Sequence, residues 1–95
     1  MPSFPGGEEE LYNFIANNIK YPELARKAGI SGKVLIEFIV SEDGKIIEPK
    51  VVKGIGYDCN EEAIRIIKLM PKWIPGKQDG KPIKVRLILP IIFSN

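Results

Sequence analysis

The sequence predicts an α+β domain, with two to three helices laid on one face of a three-stranded antiparallel or mixed sheet of order 2-1-3. Three observations predict it. Apolar residues recur at helical spacing over 8–19 and 58–70. They alternate at period two over 33–40 and 82–92. The last helix also carries the chain from the second strand to the third, and a right-handed crossover is expected if those strands lie parallel in one sheet, with the first strand between them. A chain of 95 residues has room for one core, so 1–95 is read as a single domain.

The elements follow in order. Pro5-Gly6-Gly7 forms a turn, and Glu8, Glu9 and Glu10 then suit the positive end of a helix over 8–19 with Leu11, Phe14, Ile15 and Ile19 on one stripe. Pro22 stands at the first position of a short helix over 22–28 that Gly29 stops. Val34, Ile36, Phe38 and Val40 share one face of the first strand. Asp43-Gly44 makes the hairpin turn into a second strand over 46–53, where Pro49 marks an edge or a bulge. Asp58 and Glu61 have the spacing of a capping box for the helix over 58–70, whose buried stripe is Cys59, Ala63, Ile66, Ile67 and Met70. A loop from Gly76 to Gly80 leads to a last strand over 82–92, with Ile83, Val85, Leu87 and Leu89 on one face. That strand is left on an open edge.

Composition removes several function classes. There is no histidine, so the commonest general base and metal ligand is missing. Cys59 is the single cysteine, which excludes an internal disulfide and a multi-cysteine zinc site. No apolar run approaches a membrane span, and no signal pattern opens the chain. Charge is uneven: residues 1–62 carry 7 basic and 11 acidic side chains, residues 63–95 carry 7 and 1. The basic end can attract an acidic partner, although a solvated face explains it as well.

Two motifs fail on spacing. Gly54 and Gly56 lie between strand and helix as in a dinucleotide fingerprint, but Cys59 falls where the third glycine belongs. In "GKQDGKP" the glycines are too close for a phosphate loop, and Pro82 stands where a hydroxyl should hold magnesium. Cys59 and the serines have no partner base, so neither enzymatic activity nor a cofactor, a metal site or nucleic-acid binding is expected. Trp73, fenced by Pro71 and Pro75, is read as core packing rather than interface, since a large aromatic after a buried helix commonly plugs the core.

The ordered set Tyr21-Pro22 with Ala25, Gly32-Lys33-Val34, Asp43-Gly44, Ala63, Trp73 with Pro75-Gly76, Gly80-Lys81-Pro82 and the closing apolar strand resembles the TonB C-terminal domain family. The leading "FPGG" and "FIANNIKYP" resemble its branch with an extra N-terminal helix before Tyr-Pro. The resemblance implies a non-enzymatic periplasmic module, anchored in the inner membrane by a segment absent from this chain and working with a proton-driven motor complex there. It implies that the domain grasps the TonB box, an N-terminal segment of outer-membrane receptors, by β-strand addition to drive nutrient uptake. Carried over by position, the partner-binding residues are Asn18, Ile19, Lys20, Tyr21 and Pro22, with Lys84, Val85, Arg86, Leu87, Ile88 and Leu89 of the last strand. Trp73, Pro75, Gly76 and Gly44 would be structural. The alternative is a structural, sensory or dimerising domain at the end of a membrane sensor-peptidase or cell-envelope protein, and a homodimer through the same edge belongs to that reading.

Overall fold

The computed structural model describes residues 1–94. Helices α1 (Glu8–Asn18) and α2 (Glu23–Ala28) precede strands β1 (Gly32–Val40) and β2 (Ile46–Lys53); helix α3 (Cys59–Leu69) then leads to β3 (Gly76–Gln78), β4 (Lys81–Ile83) and β5 (Val85–Phe93). β1 pairs antiparallel with both β2 and β5, giving the sheet order β2-β1-β5, while β3 and β4 form a separate hairpin. This is the α+β layer and strand order that the sequence predicts.

Period-two alternation puts Val34, Ile36, Phe38 and Val40 of β1 on the buried face, beside Leu89, Ile91 and Phe93 of β5. The helices cover that face with Leu11 and Ile15 of α1, and Cys59, Ala63, Ile66 and Ile67 of α3. Met70, placed on the same stripe by periodicity, lies just past α3 and is half-buried.

Trp73 closes the core from the end of α3. It is 6% exposed, with Phe38 and Phe4 edge-on at ring-centroid distances of 5.5 and 5.6 Å, and Phe4 in turn meets Phe14 at 5.7 Å. A backbone clasp seats it: the Trp73 N–H donates to the Gly44 carbonyl at 2.8 Å. Gly44 has φ +85°, and a Cβ there would stand 2.1 Å from the Trp73 carbonyl oxygen. The hairpin turn and the tryptophan thus require each other. The indole Nε1 is buried without a partner among the described residues, so packing rather than a hydrogen bond holds the ring. Phe4 is held by its neighbour, because Ser3 and Ile74 exchange both backbone hydrogen bonds at 3.0 and 2.8 Å.

Four local expectations are corrected. The expected strand over 82–92 is divided at Lys84, because β4 pairs with β3 whereas β5 pairs with β1. The Gly76–Gly80 loop is instead a short strand and a turn, with Asp79 and Gly80 at positive φ. The Asp58–Glu61 capping box is not made: Gly56, Tyr57 and Asp58 all have positive φ, and Asn60 Oδ1 instead accepts from the Ile55 and Gly56 N–H groups at 3.1 and 3.4 Å. Pro22 is the residue before α2, in extended conformation, rather than its first helical residue.

Trp73→Ala is expected to cost about 3–5 kcal/mol in urea denaturation, the usual result of emptying a large aromatic site. Gly44→Ala is expected to cost at least about 1–3 kcal/mol, from a positive φ that alanine tolerates poorly together with the carbonyl clash. A Trp73→Ala protein as stable as its parent would contradict this account of the core.

Candidate functional site

A sheet of three strands has two edges, and here they differ. Along β2 the pairing with β1 slips twice, between Leu35 and Ile36 and between Glu37 and Ile39. At the second slip Glu48 has φ +53° and Pro49 has no N–H to offer. Along β5 all nine residues pair in unbroken register, from Gly32↔Phe93 to Val40↔Val85. Among the described residues no strand pairs with the other side of β5. One edge is bulged; the other is a straight, open template.

Pro90 tells which backbone groups that template offers. Pairing with β1 continues through Leu35↔Pro90, which a proline permits only where its ring nitrogen points away from the ladder. Backbone groups alternate along a strand, so Arg86, Ile88 and Ile92 turn N–H and C=O outward and Pro90 turns out only its carbonyl. Val85, Leu87 and Leu89 direct their backbone groups to β1 and their side chains toward the core. Lys84 lies outside the strand, between β4 and β5.

Beside this edge runs an apolar groove with two compartments. One, about 370 Å³, is lined by Tyr12, Ile15, Ala16, Ile19 and Tyr21 on the helical side and by Pro90, Ile92 and Phe93 on the strand. The other, about 480 Å³, lies between the N-terminal segment, including Pro2 and Phe4, and Leu87, Ile88 and Leu89. Tyr12 and Pro90 line both and mark the border. Tyr12, Ile88 and Ile92 are 49%, 56% and 61% exposed, high for large apolar or aromatic side chains.

The stretch Asn18 to Pro22 is held at the groove by α3. Glu62 receives a forked pair of hydrogen bonds from Arg65, both at 2.7 Å, and also accepts from the Lys20 N–H at 2.6 Å. Arg65 Nη2 further donates to the Asn18 carbonyl at 2.8 Å. Burial alone would push the Glu62 carboxyl up; the Arg65 hydrogen bonds, the Lys20 N–H and the two positive charges outweigh it and hold it below its ordinary 4.5. With Asn18 and Lys20 committed to α3, Ile19 and Tyr21 face the groove. Tyr21 donates its hydroxyl hydrogen bond to the Ile30 carbonyl and packs edge-on to Phe93 at 6.2 Å.

The two stretches picked out from sequence therefore do not meet at one point. Ile19 and Tyr21 share a compartment with the end of β5; Leu87, Ile88 and Leu89 line the other. Tyr12, Ala16, Ile92 and Phe4 complete the walls and escaped the sequence reading. Tyr12 and Ala16 lie off the buried stripe of α1, and Phe4 belongs to no periodic element, so only Ile92, on the outer face of a strand ending beside the helix, left a trace. Elsewhere the described residues offer little chemistry. No group of three His, Cys, Asp or Glu side chains is placed to hold a metal ion, and burial, with the nearby Asp58, Glu61 and Glu62 charges, pushes the Cys59 thiol up, away from the reactive thiolate. No helix among them is long and apolar enough to cross a membrane.

A small helix-on-sheet domain with one straight open edge beside an apolar groove is the class that these features define. The chain belongs to the TonB C-terminal family: residues 17–94 match the family described as Gram-negative bacterial TonB protein C-terminal. Protein TonB of Helicobacter pylori strain 26695 is 33% identical over 86 residues, covering 90% of this chain and 29% of that protein. Protein TonB of Campylobacter coli is 32% identical over 84% of this chain and 35% of the relative, and that of Vibrio cholerae is 33% identical over 79% and 31%. The chain thus spans about a third of the length of these relatives. Two solution structures of the Helicobacter pylori TonB C-terminal domain superpose with TM-scores of 0.66 and 0.67 at 31% and 30% identity. They cover 90% and 96% of this chain, and it covers 90% and 86% of theirs.

Because folding lowers the Glu62 pKa, its ionised form stabilises the domain above about pH 4.5, and that contribution disappears as pH falls through the lower folded value. Glu62→Gln is expected to lose about 1.5–3 kcal/mol at neutral pH, the worth of a hydrogen bond to a charged group. Thermal melts of both proteins between pH 7 and pH 3 should show the difference shrinking only below pH 4.5. A constant difference would contradict the assignment.

Proposed function

We propose that this domain is the partner-binding end of a TonB-type energy transducer and adds an extended segment of an outer-membrane transporter to β5 as a fourth strand. It performs no chemistry; it grips. The observation that carries this reading is the regular, unpaired edge of β5, nine residues in one register. Membership of the TonB C-terminal family supports the identity of the partner as the N-terminal TonB box of a receptor. Family membership also supports a periplasmic location, an inner-membrane anchor upstream of this chain and a proton-driven motor complex acting through it.

Backbone pairing supplies affinity with little sequence demand, and the groove supplies choice through alternate side chains. Only Arg86, Ile88 and Ile92 offer both outward backbone groups, so the ladder is short. Ordering two partners over it keeps the dissociation constant on the order of micromolar. Val85 and Leu87 are the wrong positions for a blocking proline, since their N–H groups bond β1 and proline there would damage the fold.

Ile88→Pro removes an outward N–H and leaves the β1 ladder alone. It is expected to keep the parent circular dichroism spectrum and to lose binding of receptor N-terminal peptides in calorimetry. Undiminished binding by a folded Ile88→Pro protein would refute strand addition at β5.

A further inference from the structure

The two compartments beside β5 put a spacing rule on whatever binds there. We propose that the docked strand is selected for large apolar side chains at positions i and i+4, with a small residue at i+2 and an acidic residue on the opposite face. The proposal rests on strand addition at β5 and goes beyond it by stating which segments are accepted.

The spacing comes from the strand repeat. A segment paired along β5 continues the sheet, so every second side chain points under the helical layer, into the groove. One compartment lies beside Leu87 and Leu89, the other beside Phe93. From Leu89 to Phe93 is four residues, or about 13 Å at the rise of a strand. Two inward side chains of the segment four residues apart span that interval and reach both compartments, whereas an odd spacing turns one of them to the outer face. The inward position between them meets the border formed by Tyr12 and Pro90, the two side chains common to both compartments. Pro90, which offers no N–H, lies at the same point, so the ladder is also weakest there.

The acidic requirement comes from the outer face. Glu37 is shared by Lys50 at 3.5 Å and Arg86 at 3.8 Å, one carboxylate for two cations. Arg86 stands at the open edge with its surplus positive charge unbalanced, and Lys84 precedes it. A carboxylate on the outward face of the added strand would complete the balance. The occupant is therefore an extended, acidic and alternately apolar segment of another protein.

The test uses the whole chain and eight-residue synthetic peptides built on a threonine host. All carry serine at the fifth position and glutamates at the second and eighth, which suit either strand direction. One carries isoleucines at the third and seventh positions; its comparator carries them at the third and sixth, which puts one isoleucine on the outer face. Calorimetry is expected to show about tenfold tighter binding of the first, the effect of burying one more large side chain. Ala16→Glu, on an exposed position of α1 that lines the compartment beside Phe93, should remove that advantage. Amide shifts at Arg86, Ile88 and Ile92 monitor docking. If both peptides shift those amides with equal affinity, the spacing rule is wrong while strand addition stands. If neither shifts them at millimolar concentration, strand addition falls and the rule falls with it.

Discussion

Three strands cannot close on themselves, and most of this structure follows from how the two resulting edges are treated. β1 is central and paired on both sides, so its alternating face supplies the core and its backbone is fully used. β2 accepts the disorder of an edge: two register slips, a left-handed Glu48, and Pro49. Lys50 and Lys53 add charge there. Such features stop a strand from recruiting another. β5 has Arg86 and Pro90 but no bulge, and its register never slips. An exposed regular edge is a liability unless something is meant to occupy it. On the proposed function, the apolar walls beside it favour an occupant with apolar side chains.

Those walls are held by interactions remote from the edge. The aromatic column Phe14, Phe4, Trp73 and Phe38 runs from α1 to β1 and fixes the helical layer against the sheet. The Gly44 clasp anchors the middle of the column, and the Ser3–Ile74 exchange holds the N-terminal segment over it. On the other side, Glu62 and Arg65 bind the chain at Asn18 and Lys20. The groove is thus shaped in part by contacts outside it, the Gly44 clasp and the Glu62–Arg65 pair, and in part by Phe4, Phe38 and Trp73, which line one compartment. A preformed groove avoids part of the ordering cost of association.

Much of the architecture was legible because its causes are local or periodic. The face of β1 could be read from alternation alone, and the sheet order from the position of the last helix and from Pro49. The parts that escaped depend on contacts distant in sequence. Nothing near Lys84 announces that the strand changes partner there. Asp58 and Glu61 have capping spacing, but the left-handed run through Gly56, Tyr57 and Asp58 leaves α3 without a side-chain cap, and Asn60 instead ties down the loop before it. The groove was half legible: the apolar run of β5 is plain, whereas Tyr12 and Ala16 become wall residues only because α1 lies beside that strand. A polar-facing helix position gives no local sign that it borders a groove.

The central claim is that an added strand pairs with β5 through the outward groups of alternate residues. Cross-strand nuclear Overhauser effects between a bound, isotopically distinct receptor peptide and this domain test it most directly. The account predicts contacts from the peptide backbone to Arg86, Ile88 and Ile92, and from its inward side chains to Tyr12 and Ile19. Contacts confined to β2, or peptide side chains bound in the groove without any backbone pairing to β5, would contradict it.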